Sequence, residues 1–519
     1  MKANPKMVDA LIETPLCKAE DLGKAIPASE HANSVCLPRW ADNVGYEEGD
    51  PEVVDRLEAG YPRFVYHPRV VKLFEACEKK FAGEGEFCQA YPTQNAARRC
   101  VDYVRGKLGI EGAVHAFSAH AGDVHAVCFP NQARHLSKKY WQHTGEGVSS
   151  RRAAAAIEGR TATSASDTKA RIRERIAKKN GVEAESVYLF SSGMAAIYTV
   201  QRAMNRVWPE RQTVQFGFPY VDMLKVQEEF GIRGVRFFPR GDVDDLDDLV
   251  THLDGSSVAG LFFEFPSNPL LTSPDVDRLV ALSNRYDFLL VADDTIGTSV
   301  NVALLPTVDV LTTSLTKFFV GAGDVMGGAV VLNADGRHQA EFRHALDLEY
   351  EDLLFADDAV LIERYSNSYE PRVRSINKTA ERLCEYLQGR QEVEHIYYPK
   401  STTRENYDKF RRSAAGYGGL FSMILKDEAV QAPRFYDALE ISKGPNLGTS
   451  FSLCCPYTIL AHYDELEEVE KLGVSRYLLR VSVGREPYEE LVRRFDSAFE
   501  TLDQGAKKLG VDGDTVRSC

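Results

Sequence analysis

The stretch DVLTTSLTKFFVGAGDVMGGAVVL, residues 309–332, decides the fold of this chain. Apolar runs enter and leave it, and between them lie hydroxyl side chains, glycines and one lysine. This pattern predicts two buried strands joined by a polar loop. Lys317 stands in that loop, close to Ser314 and Thr316. Such a lysine can form a Schiff base while the hydroxyls bind an anion, although most lysines in loops are simply solvated.

Length, charge and hydropathy limit the function classes. A chain of 519 residues is too long for one core, so we expect two or three domains. The net charge of −14 argues against nucleic-acid binding, which needs a basic face. No apolar run is long enough to span a bilayer, and the first thirty residues lack the apolar core of a signal peptide. We therefore expect a cytoplasmic protein that binds no membrane.

The cysteines and the N-terminal region carry no evident chemistry. None of the 10 cysteines has CxxC or zinc-finger spacing, so we expect no metal site. In a cytoplasmic chain of this length they are expected to be reduced, mostly buried thiols. Residues 1–147 contain helical patterns at residues 70–81 and 96–108, but no constellation that indicates catalysis.

From Ser166 onwards, apolar strands alternate with amphipathic helices, which predicts an α/β sheet. The strand at residues 187–190 leads into SSGMAAI, where Ser192 or the serine before it can cap a helix and Gly193 lets the backbone bend. The free amides of Gly193 and Met194 at such a helix start can bind a phosphate. A plain capped helix without a ligand would show the same pattern.

Further features follow later strands of the same sheet. Tyr220 comes after the strand at residues 213–216, Asn268 follows residues 260–265, and Asp293 ends the apolar run FLLVA. The carboxyl ends of parallel strands meet at one edge, where ligands bind in open α/β sheets. A phosphate seat, an aromatic ring, an acid and Lys317 together suit pyridoxal phosphate. The lysine carries this cofactor, the acid pairs with its ring nitrogen and the aromatic side chain stacks on its ring.

The C-terminal part of the chain predicts a smaller α/β unit that begins near residue 395. Its last strand, YLLRVSV at residues 477–483, places Arg480 in an apolar run. A buried arginine needs an anionic partner. The bidentate guanidinium could bind a substrate carboxylate, and an internal salt bridge is the other interpretation.

The motifs SSGMAAI, EFPSNPL, VADDT, SLTK followed by DVMGG, and LRVSVG resemble those of the Cys/Met-metabolism pyridoxal-phosphate enzymes. Upstream of residue 148, IPASEHANSVCLPRW, VGYEEG, GYPRF and YWQHTGEGVSSRRA resemble the fungal cystathionine γ-synthase branch. The resemblance implies fold type I, the aspartate aminotransferase fold. It implies an N-terminal extension at 1–147, a large domain at 148–390 with a mixed, mostly parallel seven-stranded sheet, and a small α/β domain at 391–519.

The resemblance also implies the roles of the site residues. Lys317 carries the cofactor and acts as catalytic base, Tyr220 stacks on the ring and takes part in catalysis, and Asp293 contacts the ring nitrogen. Asn268 lies near the phenolic oxygen and Arg480 binds the substrate carboxylate. The groups expected on the phosphate are those of Gly193, Met194, Ser314 and Thr316.

The chain departs from the pattern of the resembled family in three places: at Ser149, at Ala322–Gly323, where histidine and serine are common, and at Phe451. Arg151 stands where the family gives an arginine to the neighbouring subunit's phosphate, but Ser149 replaces the usual tyrosine. Phe451 stands where a glutamate faces the amino group of an acceptor amino acid, and Ser452 beside it is kept. If Phe451 lines the substrate pocket, the pocket is more apolar than in the family.

The reaction that the resemblance implies is γ-replacement on O-acetyl-L-homoserine, in a homo-oligomer that is usually a dimer of dimers. Cysteine as acceptor would give cystathionine for methionine biosynthesis by trans-sulfuration. A carbon nucleophile such as a β-keto acid, in secondary metabolism, and a β- or γ-lyase reaction are the enzymatic alternatives. A non-catalytic homologue that serves as a binding subunit is the remaining alternative.

Overall fold

The computed structural model describes residues 5–61, 64–118, 124–160 and 164–508. Pro62 and Arg63 of the GYPRF motif, and Cys519, lie outside this range. Within it, no helix is both long and apolar enough to cross a membrane.

The N-terminal region is a helical segment followed by a small antiparallel sheet of order β1-β3-β2. Its amphipathic helices fall where the apolar spacing predicts them, and Thr93 caps the second of the two predicted helices by accepting a hydrogen bond from the Ala96 amide at 3.1 Å. The elements are α1 (Pro5–Glu13), α2 (Trp40–Glu48), α3 (Pro51–Val54), α4 (Pro68–Phe81), β1 (Glu86–Tyr91), α5 (Gln94–Leu108), β2 (Ala113–Ser118), β3 (Val124–Pro130) and α6 (Arg134–Thr144).

A seven-stranded sheet of order β4-β10-β9-β8-β7-β5-β6 forms the centre of the molecule. Only β10 runs antiparallel to its neighbours, which confirms the predicted mixed, mostly parallel sheet. Its strands are β4 (Val187–Phe190), β5 (Gln212–Phe216), β6 (Val235–Phe238), β7 (Val258–Glu264), β8 (Leu289–Asp293), β9 (Val310–Ser314) and β10 (Gly328–Leu332). The accompanying helices are α7 (Ser150–Glu158), α8 (Ser166–Asn180), α9 (Gly193–Val207), α10 (Val221–Phe230), α11 (Val243–Leu253), α12 (Val276–Tyr286), α13 (Thr298–Asn301), α14 (Gln339–Glu349), α15 (Ala356–Ser366) and α16 (Tyr369–Gln388).

The central strands are buried on both faces, because helices cover the sheet from both sides. In β8, Leu290 and Ala292 join the core that includes α8, α11 and α12. Leu289 and Val291 point the other way and join the core that includes α9 and α10. Successive side chains of a strand point to opposite faces of the sheet, so a strand that is buried on both faces has a continuous run of apolar residues. This is why FLLVA shows no polar alternation.

The C-terminal region forms a five-stranded sheet of order β11-β12-β15-β14-β13. It provides the predicted smaller α/β unit, and Arg480 lies in its central strand β15. The elements are β11 (Val393–Tyr397), α17 (Arg404–Phe410), β12 (Leu420–Leu425), α18 (Glu428–Ala438), β13 (Ser442–Lys443), β14 (Leu453–Pro456), α19 (Tyr457–His462), α20 (Leu466–Lys471), β15 (Leu479–Ser482) and α21 (Tyr488–Lys508).

Cys88 in β1 and Cys128 in β3 form a disulfide. The expectation that all cysteines are reduced is therefore wrong for this pair. The two residues face each other directly in the antiparallel register, which brings their Cβ atoms within disulfide range. Their separation of 40 residues gives no sequence motif that would indicate the bond.

Candidate active site

A pocket of about 950 Å³ lies at the edge of the central sheet where β4, β5, β7, β8 and β9 end. Most of the side chains predicted for the site line it, although they come from distant parts of the sequence. They are Gly193, Met194, Tyr220, Asn268, Asp293, Ser314, Thr316, Lys317 and Arg480. The structure therefore brings these residues together at the carboxyl edge of the sheet, where the sequence predicted the site.

Lys317 lies just after β9, in a short helical turn at Leu315–Phe319. The backbone dihedral angles of Lys317 are not helical, so this residue interrupts the turn. Its side chain is only 7% exposed. The Nζ atom donates hydrogen bonds to the Tyr61 hydroxyl at 2.9 Å and to Asn446 Oδ1 at 2.5 Å. The predicted amine is thus a buried group held in a defined position.

Two buried carboxyl groups end adjacent parallel strands, with Glu264 of β7 opposite Asp293 of β8. Asp293 accepts hydrogen bonds from the Thr312 hydroxyl at 2.7 Å and the Thr295 amide at 2.9 Å. Burial raises the pKa of Asp293. Burial first, and the charge of Asp293 second, raise the pKa of Glu264 to about 8.

Glu264 connects two of the predicted ligand-binding residues. Its Oε1 accepts the backbone amide of Tyr220 at 2.9 Å, and its Oε2 accepts that of Asn268 at 2.8 Å. One carboxyl group therefore fixes the start of α10 and the loop after β7. Tyr220, which immediately precedes α10, is half-buried at the pocket wall.

The N-terminus of α9 forms a tight seat beside the lysine loop. Ser192 caps this helix by accepting the Ala195 amide at 3.1 Å, as the sequence predicted. A Cβ atom at Gly193 would lie 2.8 Å from the Cβ of Ser314, so only glycine allows this approach. Gly193 and Met194 line the pocket at this helix start, and amides of a first helical turn that lack an intrahelical partner suit an anion.

Arg480 is 4% exposed, and its partners within the described chain are neutral oxygens. Its guanidinium donates to Asn268 Oδ1 at 3.2 Å and to the Pro445 carbonyl at 2.8 Å. It also lies over the ring of Tyr457 at 4.7 Å from the centroid. None of the ion pairs among the described residues includes it, which favours a ligand carboxylate over an internal salt bridge as its anionic partner.

This site belongs to a chain whose residues 129–500 match the family described as Cys/Met metabolism PLP-dependent enzyme. The chain belongs to the Cys/Met metabolism PLP-dependent enzymes. Residues 69–149 of this family member also match the fungal trans-sulfuration enzyme N-terminal domain.

Proteins similar to this family member carry several different names. Cystathionine gamma-synthase of Neurospora crassa is 34% identical, and the match covers 93% of this chain and 99% of that protein. Alanine racemase ungC of Aspergillus violaceofuscus is 30% identical over 95% of this chain and 99% of that protein. The family is therefore firmly shown, whereas the names of its members span more than one reaction.

Solved structures agree on the fold. Cystathionine gamma synthase from Xanthomonas oryzae, in complex with cystathionine, matches with a TM-score of 0.58 and 24% identity. The match covers 65% of this chain and 86% of that one. Together with the seven-stranded mixed sheet, this confirms the predicted fold type.

The residues of this family member fit pyridoxal phosphate, the cofactor of the family. The Lys317 amine, the buried carboxyl of Asp293 and the aromatic ring of Tyr220 line one cavity with the α9 N-terminus. The close approach at Gly193 excludes a side chain at the helix start, where backbone amides could bind the phosphate. Lys317 would carry the aldehyde carbon, Asp293 would face the ring nitrogen and Tyr220 the ring.

Three predicted residues lie outside the pocket in the described chain. Phe451 is fully buried and packs with Leu11, Ile26 and other apolar residues, so it does not make the pocket apolar as supposed. Ser452 donates to Glu486 at 2.8 Å instead of facing a substrate. Both belong to a loop packed against the N-terminal segment, and nothing in the local sequence indicates that orientation.

Arg151 also lies away from the lysine in its own chain. Its guanidinium donates to Asp358 Oδ1 at 3.1 Å and to the Asp324 carbonyl at 2.6 Å. Burial raises the pKa of both aspartates. Contact with a cofactor of the same chain is therefore not present, and a role toward a second subunit stays a prediction.

Sequence reasoning missed the N-terminal contribution to the pocket. Tyr61 and Phe64, both from the GYPRF motif, line its wall beside Lys317. The N-terminal region, in which the sequence showed no catalytic constellation, therefore contributes side chains to the pocket wall. The motif itself was the available signal, since an aromatic motif in a loop has no packing periodicity to explain it.

Proposed function

We propose that this enzyme catalyses γ-replacement on O-acetyl-L-homoserine, losing acetate and adding a nucleophile at Cγ. The observation that carries the proposal is the buried, carbonyl-bound guanidinium of Arg480 in the same pocket as the Lys317 amine. An α-amino acid presents a carboxylate and an α-proton close together. These two side chains match that pair of groups.

The side chains of the chain would divide the work as follows. Arg480 binds the substrate carboxylate and fixes the α-carbon, so that the bond to be broken stands at a defined angle. Lys317, once neutral, removes the α-proton and then moves a β-proton as the acetate leaves. Pyridoxal phosphate supplies the electron sink for these steps when it is bound. Burial of the lysine keeps water away from the transferred proton.

Cysteine is the first candidate for the acceptor, with cystathionine as the product of a methionine-forming trans-sulfuration step. The support for it is similarity to proteins named cystathionine gamma-synthase in Neurospora crassa and Saccharomyces cerevisiae over more than nine-tenths of the chain. Both relatives match along nearly their whole length, so the comparison includes the N-terminal region.

A carbon nucleophile such as a β-keto acid is the second candidate, in secondary metabolism, and the pocket lining favours it. Among the described lining residues, the acids are Glu264 and Asp293, and both are engaged at the sheet edge. No other carboxylate of the described lining is available for the amino group of cysteine. The lining also includes the apolar side chains of Phe64, Met223, Leu447 and Leu460.

An acceptor panel tests these candidates. The cofactor-loaded enzyme is incubated with O-acetyl-L-homoserine and either cysteine, acetoacetate or buffer, and the products are identified by mass spectrometry. Acetate release that depends on an acceptor supports γ-replacement, and the product mass names the acceptor. Acetate release without an acceptor indicates a lyase. Interconversion of L- and D-alanine, measured in parallel, with no acetate release would contradict the proposal and favour racemisation.

We also propose a cytoplasmic homo-oligomer, a dimer of dimers, in which Arg151 serves the phosphate of a neighbouring subunit. The seat at Gly193 supports this, because its donors are neutral amides and hydroxyls. A phosphate dianion is most stable near a cation. Apart from Lys317 and Arg480, the described lining of the pocket offers no cation for it.

A further inference from the structure

The Tyr61 side chain contacts Lys317 Nζ, the reactive nitrogen of the site, through both its hydroxyl and its ring. Its hydroxyl accepts a hydrogen bond from Lys317 Nζ at 2.9 Å, and its ring centroid lies 4.6 Å from the same nitrogen. The residue is 9% exposed and its ring packs against Phe64 at 5.7 Å between centroids. It comes from the segment that precedes α4, so the same chain supplies it.

A second contact fixes the same amine from the opposite end of the sequence. Asn446 Oδ1 accepts from Lys317 Nζ, and Asn446 Nδ2 donates to Asn33 Oδ1 at 2.9 Å. Asn33 is itself tied to the lysine loop, because its backbone amide donates to the Gly323 carbonyl at 3.0 Å. The N-terminal segment thus holds the lysine directly through Tyr61 and indirectly through Asn446.

The two oxygens and the aromatic face favour a positively charged nitrogen. Lys317 Nζ acquires a positive charge when it takes the α-proton: the Cα–H bond breaks, an N–H bond forms, and the electron pair passes to the cofactor. In a buried site, hydrogen-bond acceptors and a π face stabilise that charge more than they do in water. The neutral amine gains less from the same groups.

We propose that Tyr61 is a catalytic residue of this enzyme, supplied by the N-terminal segment of the same chain, which stabilises the charge that develops on Lys317 as it removes the substrate α-proton. The inference rests on the proton-abstracting role of Lys317 in the proposed function. It does not depend on the leaving group or on the acceptor.

Tyr61→Phe tests the role of the hydroxyl, because it keeps the ring over the amine. Two readouts avoid the full reaction: the exchange of the substrate α-proton in D₂O, followed by NMR, and the pH titration of the visible cofactor absorbance without substrate. We expect exchange to slow at least about tenfold, since a hydrogen bond to a charged group is lost. We expect the midpoint of the titration to fall by about one pH unit.

Tyr66→Phe is the matched control. Tyr66 lies in the same segment, but its hydroxyl is bonded to Gln89 and not to the lysine. We expect this variant to exchange the α-proton within about twofold of the parent rate, because the hydroxyl that it removes contacts neither Lys317 nor the pocket. A Tyr61→Phe enzyme that matches the parent in both exchange rate and titration midpoint would overturn the proposal.

Replacing Tyr61 by 3,5-difluorotyrosine gives a second test that keeps the shape of the side chain. The fluorines make the protonated hydroxyl a weaker acceptor but also favour its ionisation. Exchange is therefore compared at a pH at which the phenol stays protonated, and there we expect it to slow. Unchanged values in a correctly folded protein contradict the role of Tyr61. If the parent enzyme binds the cofactor but exchanges no α-proton from any amino acid, it is the proposed function that fails.

Discussion

At the scale of single residues, the site consists of charged groups removed from water. Lys317 and Arg480 are both buried, and each donates hydrogen bonds to neutral oxygens. Buried charges are costly unless they are paired. The structure therefore predicts that substituting either residue affects substrate and cofactor chemistry more than packing.

Lys317→Ala should abolish turnover, by at least about 10³-fold, because the base and the covalent attachment are lost together. The cofactor should still bind non-covalently through the seat at Gly193 and Ser314. Borohydride reduction followed by mass spectrometry measures the attachment, and dialysis with absorbance measures binding. Lys443→Met is the control, since Lys443 is also buried but bonds the Pro38 and Asp437 carbonyls away from the pocket. Full activity of Lys317→Ala would exclude the proposed role.

Arg480→Lys should raise the KM for the amino-acid substrate by about 10²-fold, with a smaller effect on kcat. An ammonium cannot keep the contacts to Asn268 and Pro445 and also bind a carboxylate at two points. Steady-state kinetics with O-acetyl-L-homoserine measures the effect. Arg476→Lys, in the same segment but paired with Glu470 outside the pocket, is the control. Equal KM values in the two variants would contradict the carboxylate assignment.

At the scale of elements, the ends of β7 and β8 set the electrostatics of the pocket. Glu264 and Asp293 are adjacent in the parallel register, and neither has a cationic side chain as a partner among the described hydrogen bonds. Parallel strands that end together bring their terminal side chains close regardless of charge. Burial first, and the charge of Asp293 second, explain why Glu264 holds its proton to higher pH than an ordinary carboxyl.

Glu264 predicts a pH dependence of stability. Its pKa rises from 4.5 in the unfolded chain to about 8 in the folded one, so the folded state binds this proton more tightly. The stabilisation is present below the unfolded pKa and is lost as the pH rises through the folded pKa. The free energy of unfolding of the cofactor-free enzyme should therefore decrease between about pH 5 and pH 8 because of this group.

Urea denaturation at a series of pH values, for the parent and for Glu264→Gln, measures this contribution. Glutamine cannot ionise, so the variant does not lose this stabilisation as the pH rises. The unfolding free energy of the variant should therefore increase relative to that of the parent. Glu229→Gln is a useful control, because its partners lower the pKa of Glu229 to about 2. Its contribution therefore changes with the opposite sign, and only below about pH 5. A difference that does not vary with pH would exclude the raised pKa of Glu264.

At the scale of the whole molecule, the pocket joins regions that are far apart in the sequence. The N-terminal segment supplies Tyr61, the central sheet supplies Lys317 and Asp293, and the C-terminal sheet supplies Arg480. If the proposed dimer forms, Arg151 adds a group from a second copy. Arg151 is bonded to Asp324 and Asp358 within its own chain, so this role needs a direct test.

Mixing two inactive variants gives that test. Lys317→Ala and Arg151→Met are unfolded and refolded together, and activity is compared with each variant alone. If Arg151 serves its neighbour, each mixed dimer has one intact site, and about a quarter of the parent activity should return. If Arg151 acts within its own chain or only structurally, no mixed site is intact and no activity returns.

The sequence predicted the central sheet well because its strands are buried on both faces and its helices are capped. Lys317, Asp293, Tyr220 and Arg480 were found because each interrupts an apolar pattern or follows it. Contacts between distant segments leave no such pattern. This is why Tyr61, the linking carboxyl of Glu264, the inward packing of Phe451 and the Cys88–Cys128 bond were not predicted.

The bridge from Asn33 through Asn446 to Lys317 has a consequence for folding. Asn33 and Asn446 lie 413 positions apart in the sequence, so two distant segments must both fold onto the lysine loop before the amine is held. A polypeptide that ends before residue 446 would lack Asn446, which accepts one of the hydrogen bonds that hold the Lys317 amine in position. The amine is therefore positioned only when the fold that joins these two segments is formed.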